Sequence, residues 1–219
     1  NRDSLQGQLD VAATEKALYQ TFKYRGLFKS DGSWDAGVYK DENASTLSRN
    51  YAAAHLQLAF YYRRRGDMGK AIGEMERVGR MFPDVPDVQI PLGGFYLDQG
   101  DTARAMELYE RLAKANPGDA EAHYYYGVSL IYKSRLAEGL RELEAAITAD
   151  PDYNMAYYAA YFSLWEAGQH ERPISYLERW VSTHPGDTQA EALLAQRRAE
   201  MGQGTISPPA LTRPPLNLP

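Results

Sequence analysis

The chain contains no cysteine. A disulfide scaffold, a Cys-ligated zinc site and a thiol nucleophile are therefore excluded. It also lacks a strong excess of one charge. Against 29 Asp and Glu stand 24 Lys and Arg, a formal charge of −5, so there is no basic stripe to displace counterions from a nucleic acid. Long hydrophobic runs are missing too: the longest weakly charged stretch, Tyr153 to Trp165, is too short and too rich in tyrosine to span a bilayer. A Gly-rich phosphate loop, a nucleophile-elbow serine and a His-Glu-x-x-His pair are all absent. The sequence thus offers no catalytic residue and no cofactor site, and it reads as a non-enzyme. It opens on Asn1 rather than Met, with no signal-peptide pattern before the first expected helix, and is read as a matured product or an excised domain.

What remains is an ordinary globular composition over 219 residues, 44% hydrophobic and 12% aromatic, enough for one or two domains with a core. Its organisation lies in a repeat. Pro83, Pro117, Pro151 and Pro185 fall 34 residues apart, inside Phe-Pro-Asp-Val, Asn-Pro-Gly-Asp, Asp-Pro-Asp-Tyr and His-Pro-Gly-Asp. Only three other prolines precede the tail, so the register is not accidental. Counting back from each proline sets repeats 52–85, 86–119, 120–153 and 154–187.

Each repeat reads as two helices. Leu58 and Tyr62 close an apolar face at Gly66, suited to a left-handed C-cap, and Asp67 then caps a second helix bearing Ala71, Met75 and Val78. Leu92, Gly93, Tyr96, Gly100, Asp101, Ala105, Tyr109 and Leu112 repeat the scheme, and Tyr126, Gly127, Leu130, Gly139, Leu143 and Ala146 repeat it again. Small residues (Ala59 with Ala71, Gly93 with Ala105, Gly127 with Gly139) mark where paired helices approach closely. The recurring proline ends each second helix, and Pro86 takes a first turn, where its missing N–H costs nothing. This pattern resembles the tetratricopeptide repeat over 136 residues. It implies an all-α, helix-turn-helix solenoid forming a right-handed superhelix. The fourth repeat departs from it, with Tyr161 and Pro173 in place of the small residues, and Trp180 is expected to fill space there. Residues 188–202 read as a C-terminal capping helix whose Glu191, Arg197, Arg198 and Glu200 suit a solvated face. Residues 203–219 form a Pro-rich tail.

Residues 1–51 read as a helical N-terminal cap with a loop. Asp10 caps a helix expected from Val11 to about Arg25, with Lys23 and Arg25 in its last turn; 30–37 is a loop, and a long helix runs from about Glu42 to Arg65. Here Lys23-Tyr-Arg-Gly-Leu27, Val38-Tyr-Lys-Asp-Glu-Asn43 and Arg49-Asn-Tyr51 resemble the soluble C-terminal domain of bacterial membrane proteins of the protein O-mannosyltransferase-like, GT-C type. That resemblance implies an extracytoplasmic setting, periplasmic or extracellular, released from or attached to a membrane protein. It brings no catalytic residue with it.

Asp150-Pro151-Asp152 has the Asp-x-Asp form of a sugar-nucleotide metal site but sits in an inter-repeat turn, where helix capping explains it. Asp31, Asp35, Asp41 and Glu42 offer hard oxygens for calcium at a spacing that fits turns and N-caps better. His55 and His123 share one repeat position, where packing outweighs a metal. Arg63-Arg64-Arg65 ends a helix, where positive charge offsets the dipole, an acidic partner being the alternative. No metal site is assigned. Candidate glycosylation positions are Asn43, in the sequon Asn43-Ala44-Ser45, and Thr205, Ser207 and Thr212 among the tail prolines.

In this type of repeat the first helices line an inner groove. The geometry of the family puts Leu56, Phe60, Ile90, Leu97, Tyr124, Val128, Ile131, Tyr132, Met155, Tyr158, Phe162 and Trp165 there, some of them packed between helices. Together they amount to an apolar patch on the order of 500 Å², near the size that marks interaction sites. The Lys and Asn set that holds a C-terminal carboxylate in chaperone-tail receptors is missing. A Tyr-rich groove suits a stiff polyproline segment instead, and the chain carries one from Ser207 to Pro219. The expected function is a protein-interaction scaffold binding an extended segment, its own Pro-rich tail in cis or in trans being a candidate. The alternatives are a self-assembling filament subunit joined by tail-in-groove contacts, and the accessory domain of a membrane glycosyltransferase that recruits its acceptor.

Overall fold

The structure, a computed structural model, describes residues 9–21, 27–83 and 85–203. Among these lie ten α-helices and one π-helical turn, with a single isolated bridge between Phe28 and Trp34. In order they are α1 (Val11–Lys16), the π-helical turn Ala17–Thr21, α2 (Glu42–Arg64), α3 (Met68–Met81), α4 (Pro86–Asp98), α5 (Thr102–Ala115), α6 (Ala120–Tyr132), α7 (Leu136–Ala149), α8 (Asn154–Glu166), α9 (Arg172–Thr183) and α10 (Thr188–Gln203). The chain divides into two compact halves, Asn1–Ala105 and Met106–Pro219, with the boundary inside α5. No helix among the described residues is long and apolar enough to cross a membrane.

Local chemistry sets the helix ends. Asp10, Asp41, Asp67, Asp101, Asp119 and Asp187 each accept a hydrogen bond from the backbone N–H three residues on, at 2.7–3.3 Å, satisfying a donor the first turn leaves open. Gly66, Gly100 and Gly168 close first helices at positive φ, 34 residues apart, and the missing member of that series is Ser134, held at φ +62. Pro173 stands in the first turn of α9, as expected. The helix expected from Val11 to about Arg25 is instead a short α1 followed by the π-helical turn, where the Thr21 hydroxyl donates to the Lys16 carbonyl five residues back. Lys23 and Arg25 lie outside the described residues.

In the N-terminal half α2 packs on α3 and α3 on α4. The small pair Ala59 and Ala71 is fully buried, and Leu58, Met75, Val78 and Phe95 fill the space around it. Loop 30–41 is braced against this body: the Trp34 N–H donates to the Arg80 carbonyl, and its ring lies 6.1 Å from that of Phe82. Asp31 and Asp35 accept from Ser33 and Gly37, and Asp41 caps α2, so these acids serve turns.

In the C-terminal half α6 packs on α7, α7 on α8, α8 on α9 and α9 on α10. The closest approach is between Gly127 and Gly139: a Cβ on Gly139 would lie 2.6 Å from the Gly127 carbonyl oxygen. Where the fourth hairpin loses its small residues, Tyr161 is fully buried and Trp180 nearly so. The Trp180 indole N–H donates to Asp187 at 2.8 Å and its ring stacks on His184 at 3.5 Å. The expectation that Arg197 faces solvent is corrected. It is fully buried, its Nε donating to the Tyr161 hydroxyl at 2.9 Å and its Nη1 to Glu200 at 2.5 Å, with the guanidinium 4.5 Å above the Trp165 ring. The bulk that Tyr161 brings to the hairpin supplies the polar partner that draws the arginine inward. Asp150 likewise does not cap the next helix; it is the C-cap residue of α7, its N–H donating to the Ala146 carbonyl. It accepts from the Asp152 N–H within the turn, while Asp152 meets His184 at 3.2 Å.

Candidate functional site

The residues expected to form a groove separate by burial. Ile90, Tyr124, Phe162 and Trp165 are buried and offer no surface. Each is claimed by neighbouring rings or helices: Tyr124 stands edge-on to Tyr125 and Tyr153, Phe162 lies against Tyr161, and Trp165 is wedged between Tyr161, His170 and Arg197. Leu56 and Leu97 are half-buried, and Phe60 is 37% exposed with its ring 5.6 Å from Phe95. These belong to the N-terminal half.

In the C-terminal half the first helices α6 and α8 touch one another. Tyr132, the last residue of α6, is 56% exposed and Met155, in the first turn of α8, is 37% exposed, while Val128 and Ile131 on α6 and Tyr158 on α8 are half-buried. A chain of tyrosine rings runs through the same half. Tyr109 and Tyr125 stack with centroids 5.4 Å apart, Tyr125 meets Tyr124 at 5.1 Å, and Tyr124 meets Tyr153 at 5.5 Å. Burial pushes the Tyr124 hydroxyl up to about 12, and burial together with the Glu121 carboxylate raises Tyr125 and Tyr153 as well. These phenols therefore stay neutral hydrogen-bonding groups rather than acids or bases at ordinary pH.

A second arrangement was not anticipated from the sequence. His55 Nδ1 lies 2.7 Å from Glu74 Oε2, and His123 Nδ1 lies 2.8 Å from Glu142 Oε2. The two pairs occupy the same positions two repeats apart, and each joins the first helix of a hairpin to the second. Between them Gln89 takes the histidine position and donates to the Gly79 and Phe82 carbonyls. Glu74 also accepts from the Tyr19 hydroxyl, with Arg77 stacked over the Tyr19 ring at 5.1 Å, which ties the π-helical turn to the first hairpin. Burial alone would raise the Glu74 carboxyl; the hydrogen bonds from His55 and Tyr19 outweigh it and hold the group below its ordinary value. The signal was legible in principle, since His and Glu stand 19 residues apart at both sites.

Other candidates are placed as follows. Asn43 is exposed in the first turn of α2. Thr205, Ser207 and Thr212 lie outside the described residues. Arg63 pairs with Asp98 at 2.7 Å. Among the described residues no three His, Asp or Glu side chains come together as a metal site.

The family model for the tetratricopeptide repeat matches residues 96–154. No curated protein matches the sequence. Among solved structures, MamA aligns at 24% identity over 70% of this chain and 82% of its own, with a TM-score of 0.55. YrrB, described as a TPR protein with an unusual peptide-binding site, aligns at 20% identity over 69% and 81%, with a TM-score of 0.51. PilF of Pseudomonas aeruginosa aligns at 18% identity over 71% of each chain, with a TM-score of 0.57. Consecutive capped helix pairs on a 34-residue period, small residues at the hairpin crossings and this set of structural neighbours agree: the chain has the all-α tetratricopeptide-repeat fold.

Proposed function

We propose that the chain is a non-catalytic protein-binding scaffold whose α6–α8 face holds an extended, proline-containing segment. The observation that carries this is the exposure of Tyr132 and Met155 on the adjoining first helices α6 and α8, which also carry half-buried Val128, Ile131 and Tyr158. Rings present flat, apolar surface to a polyproline II helix, which has already lost most of the conformational freedom that binding would remove. The favoured occupant is Ser207–Pro219, from the same chain or a neighbouring copy. The peptide-binding site named for YrrB supports this class of ligand. Bound in trans, the tail makes a head-to-tail contact, which generates rings or open filaments. The resemblance of residues 23–51 to GT-C-type membrane proteins supports an extracytoplasmic setting, with recruitment of an acceptor to a membrane glycosyltransferase as the alternative role.

The test is a titration of a peptide of residues 204–219 into a chain ending at Gln203. Saturable binding is expected, weakened about tenfold by Tyr132→Ala, since a stacked ring is worth roughly 0.5–1.5 kcal/mol. Absence of saturable binding, or affinity unchanged by both Tyr132→Ala and Met155→Ala, overturns the reading.

A further inference from the structure

Two features of the N-terminal half have no part in the face just described. One is a cavity of about 510 Å³ between α1, the π-helical turn and α2. Buried Leu18 and Tyr51 contribute to its lining, Ala17 and Ala54 keep it open, and Asn50 and Gln57 add amides. Among the described residues no charged side chain lines it. The other feature is Tyr39, 91% exposed, with Val38 beside it at 40%. Their loop is not slack. The Lys40 ammonium donates to the Asp35 and Val38 carbonyls and sits 4.1 Å from the centre of the Trp34 ring, and Trp34 is bonded to Arg80. A braced loop thus holds an aromatic ring out in water, forgoing roughly 1.5–3 kcal/mol of burial.

We infer that Tyr39 of one copy fills the α1–α2 cavity of a second copy, and the reverse, so that the chain forms a closed two-fold dimer. The chemistry matches: a tyrosine has an apolar ring and a polar tip, and the cavity pairs an apolar lining with amides that both donate and accept. The charges match as well. Exposed Asp41 and Glu42 follow Tyr39 closely while Lys40 is turned inward; exposed Lys16 and Arg49 adjoin the lining residues Ala17 and Asn50. Ring and cavity belong to the same half of the chain, so one two-fold axis satisfies both contacts at once, the self-complementary arrangement of an isologous interface.

Light scattering on size-exclusion chromatography of the full chain across a concentration series tests this. A dimer is expected for the unaltered chain. Tyr39→Ala and Leu47→Arg, the latter placing a charge at a 46%-exposed lining residue, should each weaken it about a hundredfold, at about tenfold for each of two lost anchors. Mixing the two variants restores one intact anchor, so the mixture should dimerise more tightly than either alone. Both positions are exposed, and unchanged far-UV circular dichroism will verify that the fold is kept. Tyr132→Ala should leave this dimer untouched, which separates it from tail binding on α6–α8. The inference is overturned by a monomer at every concentration, by a dimer indifferent to both variants, or by one lost with Tyr132→Ala and kept with Tyr39→Ala.

Discussion

Gly139→Ala and Gly73→Ala are the same chemical change, each within the second helix of a hairpin, and the structure assigns them opposite signs. In an isolated helix interior the change gains about 1 kcal/mol, because alanine loses less backbone freedom on folding. At Gly73 an added Cβ meets nothing within 4 Å, so most of that gain should survive. At Gly139 the Cβ would lie 2.5 Å from Ile131 Cγ1 and 2.6 Å from the Gly127 carbonyl oxygen. Ile131 can turn aside; the carbonyl is backbone and moves only if α6 and α7 separate. Overpacking of this kind costs about 1–3 kcal/mol, and a backbone clash belongs at the upper end. Subtracting the propensity gain leaves Gly139→Ala less stable by about 2 kcal/mol. At roughly 2–4 °C per kcal/mol for a chain of this size, Gly139→Ala should melt about 4–8 °C lower and Gly73→Ala about 2–4 °C higher. Thermal and urea unfolding followed at 222 nm measure both; if the halves melt separately, each shift belongs to the transition of its own half. Adding Ile131→Ala to Gly139→Ala should recover only part of the loss. Shifts of the same sign in the two glycine variants would refute the reasoning.

Two further outcomes follow from the buried polar groups. The folded-state value of Glu74 is depressed, so its contribution is complete above the ordinary glutamate value of 4.5 and is lost as pH falls through the lowered folded value; Glu74→Gln should be less stable at neutral pH and lose less on acidification, as urea midpoints from pH 7 to pH 3 will report. Arg197→Ala removes the donor to the Tyr161 hydroxyl and the cation paired with Glu200 and empties the space above Trp165, a loss of about 3–5 kcal/mol; Arg197→Met keeps the volume and should be milder, and equal loss in both would mean that packing contributes nothing.

The hairpins were legible because their punctuation is local. A capping aspartate, a glycine at positive φ and a proline that ends a helix each act within a few residues, so the 34-residue period carries them all. The π-helical turn left no such mark in Ala17–Thr21. Arg197 was misread because an arginine on a terminal helix is a surface residue by default, and its burial depends on Tyr161, 36 residues earlier. Which of the groove residues are exposed was not legible for a related reason. An aromatic on a first helix can face a partner or a neighbouring helix, and periodicity does not distinguish Trp165, packed under Arg197, from Tyr132, left in solvent. The His–Glu pairs required reading two repeats against each other at two positions together, since neither residue alone departs from what packing explains.

Those pairs also bear on how the chain acquires its structure. Each closes across 19 residues, within a single helix hairpin. Ordering a short loop loses little entropy, and contacts of short range form early and fast. The α2–α3 hairpin can therefore clasp itself while the residues of α6 are still being added during synthesis, and α6–α7 can do the same without waiting for α10. Assembly then proceeds by addition, each new hairpin finding the preceding helix already in place, and the chain need never expose its whole apolar content at once.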